Sequence, residues 1–175
     1  IVIEPTNDET RLDEERIRAI CAVHYGLGSD GILFGPLGSV SSDFPSACSA
    51  VPSYPVRIYN PDGSEAEKSG NGLRIFARHL FETGRVGRGE EFCLATLGGV
   101  ARATVEDPRS RIRVAIGKVS FRSPEVPMTG AVREVLDEAF TVCDRTYRCC
   151  AATVGNPHCI LLVDAPSEEL ARAVG

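Results

Sequence analysis

The sequence predicts an α+β fold, with helices packed on mostly antiparallel sheet, and three of its features carry that prediction. Leu73, Phe76, Ala77 and Leu80 lay an apolar stripe along one face of a helix that follows Ser69. Residues 92–96, 99–105 and 112–116 then alternate apolar with polar and are joined by Gly-Gly or Asp-Pro turns, which reads as antiparallel strands. A second group of strand-like runs follows and ends in another helix. The chain therefore divides near Lys118, into residues 1–117 and 118–175.

In chain order, Ile1-Val2-Ile3 begins inside a strand-like run, and residues 12–25 carry Ile17, Ile20, Cys21 and His24 at helical spacing. Asp13 is the expected N-cap of that helix, and Gly26 lies beyond its end. Gly28-Ser29-Asp30-Gly31 turns the chain into a short buried strand at 32–34. Residues 35–55 are rich in Gly, Ser and Pro and read as a surface loop. Residues 56–59 alternate as a strand and deliver Asn60 to a Pro61-Asp62-Gly63 turn. The helix after Ser69 closes at Thr83-Gly84, with glycine as its C-terminal cap. Beyond the Pro124-Glu125-Val126-Pro127 interruption come strand-like runs at 139–143, 147–154 and 159–163, and Pro166-Ser167-Glu168-Glu169 opens a last helix.

Composition narrows the function classes. The 175 residues are 43% apolar, enough for a packed core. Nineteen basic against 24 acidic residues leave a net charge of -5 without a basic cluster, so a nucleic-acid footprint is missing. No apolar run approaches the roughly 20 residues of a membrane span, and no leader pattern opens the chain, so a cytoplasmic location is expected. Seven cysteines, at 21, 48, 93, 143, 149, 150 and 159, form no Cys-x-x-Cys pair. Their odd number argues against a disulfide framework, and they read as small buried hydrophobes. The three histidines lie far apart in sequence, so no metal is expected.

The most informative stretch runs from Asn60 to Gly72: a turn, a short acidic link, then Ser69-Gly70-Asn71-Gly72 at a helix start. The first N–H groups of a helix lack intrahelical partners and carry partial positive charge, so the junction suits a carboxylate or phosphate. Ser64 and Glu67 have capping-box spacing, and Ser69 reads equally as a plain N-cap. Gly155-Asn156-Pro157-His158 is a second candidate: proline holds Asn156 extended, and His158 is suited to proton transfer. His24 and His79 read as structural helix residues. Gly26-Leu27-Gly28-Ser29-Asp30-Gly31 follows a helix and opens a strand, the reverse of a dinucleotide fingerprint.

Taken in order and at their spacing, Tyr25 to Gly31, Asn60 to Gly72, Phe76-Ala77-Arg78, Thr96-x-x-Gly99, Ile112-Arg113-Val114-x-x-Gly117 and Gly155-Asn156-Pro157-His158-Cys159 make the chain resemble the diaminopimelate epimerase family. The resemblance implies two similar domains, each a curved, mostly antiparallel sheet around a core helix, the second incomplete here. It implies a cofactor-independent isomerase of amino-acid and lysine biosynthesis that interconverts LL- and meso-diaminopimelate by means of two cysteines on opposite faces of the α-carbon. Asn60 and Asn156 match residues that hold the distal end of the substrate. Gly70 and Asn71 match the groups that bind the reacting carboxylate, and His158 matches a histidine near the reacting centre. The partner implied is a small amino acid, with a homodimer left open and with neither nucleic acid nor membrane.

Three departures accompany the resemblance. The family's first catalytic cysteine falls on Ser69, whose hydroxyl is far harder to ionise than a thiol. The second catalytic cysteine is expected beyond Gly175, and the family's opening strand, with a further substrate-binding asparagine, before Ile1. Alternatives of the same fold are a related isomerase or dehydratase, or an amino-acid-binding paralogue without catalysis.

Overall fold

A computed structural model describes residues 1–6, 12–38 and 51–174. The fold is α+β. The chain forms two compact units, Ile1–Gly117 and Lys118–Gly175.

In the first unit, Asp13 caps α1 (Glu14–Cys21) by accepting the N–H of Arg16 at 2.8 Å, as its residue type predicts. The helix stops at Cys21, earlier than the spacing suggests, because Ala22 turns extended. Beyond it, Val23, Tyr25 and Leu27 all face solvent. His24 consequently lies in the turn after α1, outside the helix expected for it.

One sheet of this unit has the order β1 (Val2–Ile3), β2 (Ile32–Phe34), β4 (Arg57–Tyr59), β5 (Glu65–Ala66). Only its β1–β2 pair is parallel. The other has the order β3 (Ser53–Pro55), β6 (Glu91–Thr96), β7 (Gly99–Asp107), β8 (Arg111–Ala115), again with a single parallel pair, β3–β6. β3 lies inside the stretch expected to be loop. Residues 39–50 of that stretch, Cys48 among them, lie outside the described residues.

The longest helix, α2 (Gly70–Glu82), buries the predicted stripe completely, with Leu73, Phe76, Ala77 and Leu80 all at 0% exposure. These side chains join Leu33 and Ile58 from one sheet, Val56 from the link between β3 and β4, and Phe92, Leu94, Ala101, Ala103 and Val105 from the other sheet in a single core cluster. Each large side chain buried in this way contributes about 2 kcal/mol. Strand alternation sends Ile32, Phe34 and Tyr59 to the opposite face, where Ile17 and Cys21 of α1 cover them. α2 ends at Thr83, and Gly84 follows at φ 72°.

The second unit is an antiparallel sheet in the order β11 (Pro157–Leu162), β10 (Arg145–Thr153), β9 (Glu138–Val142), followed by α3 (Glu168–Val174). Its core is small: Val126, Val135, Cys149 and Ala151, with Met128, Phe140 and Leu161 against them.

The cysteines depart from a uniformly buried set. Cys21 and Cys149 are buried, Cys150 is half-buried, and Cys143 and Cys159 are exposed. Cys93, inside β6, is disulfide-bonded, which corrects its reading as a free, small buried hydrophobe. No described helix is long and apolar enough to cross a membrane.

Candidate functional site

β4 carries the chain out of the first sheet at Asn60, and a tight network closes the turn there. Gly63 N–H donates to the Asn60 carbonyl at 3.0 Å, Asn60 N–H to the Ser64 carbonyl at 2.8 Å, and Asn60 Nδ2 to Ser64 Oγ at 3.0 Å. Ser64 donates from both its hydroxyl (2.6 Å) and its N–H (2.9 Å) to Asp62 Oδ1. These bonds, the hydroxyl foremost, hold the Asp62 carboxyl below its ordinary range. Ser64 is therefore a turn residue and forms no capping box with Glu67, whose neighbours Glu65 and Ala66 are strand. Gly63, at φ 92°, lies against Glu14, where a Cβ would come within 2.9 Å of the Glu14 Cβ. Arg18 Nε reaches the Asp62 carbonyl at 2.7 Å, so α1 braces the turn from outside.

From β5 the chain runs through Glu67 and Lys68 to the helix start. Ser69 is extended (φ -137°, ψ 115°) and is the N-cap of α2: its Oγ accepts the Gly72 N–H at 3.1 Å, and its carbonyl accepts the Leu73 N–H at 2.9 Å. The N–H groups of Gly70 and Asn71 have no partner among the described residues, and both residues are exposed. A Cβ on Gly70 would meet nothing within 4 Å, so this side of the helix start is open. On Gly72 a Cβ would lie 2.9 Å from Leu33 Cδ2 and 3.2 Å from the Ser69 side chain. Glycine there lets the helix start sit directly on β2. The result is an exposed pair of backbone donors at the positive end of a thirteen-residue helix, beside a hydroxyl whose own hydrogen is not engaged within the described residues. Such a place has the chemistry to accept an anion.

Sequence reasoning passed over Lys68. It is 7% exposed, and its Nζ donates to the Ile116 carbonyl at 3.1 Å. Burial pushes its ammonium below the ordinary lysine range, and no carboxylate among the described residues offsets the effect. A lysine two residues past a strand end carries no local sign of burial; the contact that buries it comes from 48 residues away. His79 lies in α2 and is structural, as its place in the sequence suggests. Its Nε2–H donates to Glu4 Oε1 at 2.6 Å, and Arg85 Nη2 donates to Glu4 Oε2 at 2.8 Å, tying the end of β1 to the last turn of α2 and the chain beyond it.

In the second unit, Gly155 (φ 105°) and Asn156 form the turn between β10 and β11, and Gly155 N–H donates to Thr153 Oγ1 at 3.0 Å. Pro157 pairs with Thr153 and His158 with Ala152, so the histidine is a strand residue at the start of β11. Its Nδ1–H donates to the Asn156 carbonyl at 2.6 Å, which leaves Nε2 as the ring's outward nitrogen on an exposed side chain. Asn156 is half-buried. The candidate residues thus form two local groups, Asn60, Ser69, Gly70 and Asn71 in the first unit and Asn156 and His158 in the second.

Comparison with known proteins gives these groups a context. The family model described as diaminopimelate epimerase matches residues 1–122. "Diaminopimelate epimerase 2" of Nostoc sp. is 43% identical over 175 residues, covering 100% of this chain and 58% of the relative. The "Diaminopimelate epimerase" of Moorella thermoacetica is 37% identical over 150 residues, 84% of this chain and 50% of the relative. That of Pelotomaculum thermopropionicum is 37% identical over 147 residues, 82% and 48% respectively. The chain spans about half the length of these curated relatives. With a match over most of its residues, the chain belongs to the diaminopimelate epimerase family.

Proposed function

We propose that the protein containing this chain is an amino-acid epimerase that interconverts LL- and meso-diaminopimelate in the cytoplasm without a cofactor. The observation that carries the reading is the α2 start, where the Gly70 and Asn71 N–H groups stand exposed beside the Ser69 hydroxyl. Removing the α-proton of an amino acid moves an electron pair from the breaking C–H bond toward the carboxylate. Backbone donors already aimed at those oxygens stabilise the charge as it grows, without reorganising at the moment of reaction. The helix dipole adds to the effect.

Asn60 fits the other end of an elongated substrate. It lies at the turn of the β4–β5 hairpin, whereas Ser69 comes three residues after β5 has left that turn. Asn60 bonds Ser64 across that turn, five residues before Ser69, so the two stand at different places along the segment and suit two ends of a diamino diacid. In the second unit, Asn156 is proposed as substrate-binding and His158, whose Nε2 faces outward, as suited to proton transfer.

Ser69 modifies the chemistry. A free cysteine thiol ionises near about pH 8.5 and a serine hydroxyl far higher, so Ser69 does not supply a thiolate. Its Oγ accepts from Gly72 and retains a hydrogen to donate, which suits it to hydrogen-bond the substrate or return a proton. The test is deuterium uptake at the α-carbon of diaminopimelate, followed by NMR with the full-length protein. Exchange supports the epimerase, and its absence at saturating substrate removes it.

The capping role of Ser69 also favours a second reading, an amino-acid-binding relative without turnover. Ser69→Cys in the full-length protein separates the two. A rise in α-exchange supports the epimerase framework, whereas unchanged calorimetric binding without exchange supports the binding role.

A further inference from the structure

Lys68 precedes the helix cap by one residue, and the proposed chemistry does not account for its burial. Two consecutive residues of the segment leading to Ser69 are fastened to the second sheet. The Glu67 carbonyl accepts the Gly98 N–H at 2.8 Å, at the turn between β6 and β7. Lys68 Nζ donates to the Ile116 carbonyl at 3.1 Å, just past the end of β8. Gly99, at φ 108°, borders the ammonium, and a Cβ there would stand 3.4 Å from Nζ. Among the described residues no carboxylate pairs with Lys68, and Ile116 is its sole hydrogen-bond partner. Burying an ammonium without a counter-ion costs stability, and a methionine of similar length would fill the space without that cost. What the ammonium provides and a methionine does not is a directional bond, strengthened by the low-dielectric surroundings.

We propose that Lys68 is a positioning residue for the anion site: by tying the Glu67–Ser69 segment to Ile116, it fixes where the Gly70 and Asn71 N–H groups point. Ile116 is the penultimate residue of the first unit, so the same bond sets both the entry to α2 and the exit from β8. The proposal rests on the carboxylate-binding reading of the helix start.

The test uses the full-length protein and Lys68→Met. Hydrogen exchange of the Gly72 and Leu73 amides, both held by Ser69, reads the tie directly and needs no substrate. We expect at least tenfold faster exchange at these two amides, with Phe76, Ala77 and Leu80 as protected as before, and at least tenfold weaker calorimetric binding of diaminopimelate. Unchanged exchange at Gly72 and Leu73 overturns the proposal. If the unmodified protein fails to bind diaminopimelate, the carboxylate reading falls while the exchange result still decides the role of Lys68. Should Lys68→Met fail to fold, NMR of the lysine ammonium groups in the unmodified protein serves instead. A slowly exchanging Lys68 signal coupled to the Ile116 carbonyl supports the tie, and its absence overturns it.

Discussion

Ser69 Oγ accepts the backbone N–H of Gly72 at 3.1 Å, so the side chain beside the proposed anion site also begins the core helix of its unit. Stability and chemistry therefore meet in one hydroxyl. Ser69→Ala leaves the Gly72 N–H without its cap and is expected to destabilise the first unit by about 1 kcal/mol. Urea denaturation with an unchanged m-value checks this; a loss below a few tenths would mean that solvent replaces the cap at no cost.

The two glycines flanking Asn71 have opposite surroundings and should respond in opposite ways. Gly70 faces open space, so Gly70→Ala is expected to hold or raise stability by up to about 0.5–1 kcal/mol through the unfolded chain's lost freedom, while the added methyl obstructs the exposed donors and weakens diaminopimelate binding. Gly72→Ala would press a methyl to 2.9 Å from Leu33 Cδ2, with an expected cost of about 1–3 kcal/mol from overpacking. Thermal unfolding and calorimetry on both variants separate a ligand-facing glycine from a packing glycine. Equal destabilisation of the two would contradict the geometry.

Glu4 gives a test in acid. Its hydrogen bond from His79, then the bond and charge of Arg85, hold its carboxyl below the ordinary glutamate range. A carboxyl whose folded-state pKa is depressed adds stability that is present above its unfolded value, about 4.3, and is lost as the pH falls through the folded value. From about pH 5 to pH 3, the unmodified protein should therefore lose more stability than Glu4→Gln. With the side chain 35% exposed, solvent screening limits the difference to about 1 kcal/mol or less. Parallel acid titrations of stability that superimpose would remove Glu4 from the account.

What the sequence made legible followed from periodicity and from residue types with a single local use. The α2 stripe, its Ser69 start and its Gly84 end were readable because cap and stripe are local properties. Elements of two or three residues, such as β3 and β5, are too short to show a period, and tertiary pairing alone defines them. The end of α1 comes earlier than the spacing of Ile17, Ile20, Cys21 and His24 suggests, because Ala22 turns extended, a backbone choice that the spacing does not reveal. The β9–β10 loop was placed late for another reason: Cys143 and Asp144 adopt φ 49° and 57° without the Asn-Gly pair that marks such turns. At the site, residue types pointed to backbone donors for an anion, whereas the buried state of Lys68 depends on a carbonyl distant in sequence.

That buried state has a signature at high pH. Desolvation lowers the Lys68 pKa in the folded protein, while the unfolded chain titrates near about 10.4. Below the folded value both states carry the proton, and the full cost of burying the charge is present. Between the two values the unfolded state binds more protons than the folded one, so stability attributable to this group rises with pH. Tyrosines and cysteines titrate in the same range, but subtracting the stability curve of Lys68→Met removes whatever is common to both proteins. The difference should show the unmodified protein gaining on the variant as pH increases toward about 10, with the variant at least as stable at pH 7 despite its looser helix start. A flat difference would mean that the Lys68 ammonium is solvated. A variant markedly less stable at pH 7 would mean that the bond to Ile116 outweighs the cost of burying the charge.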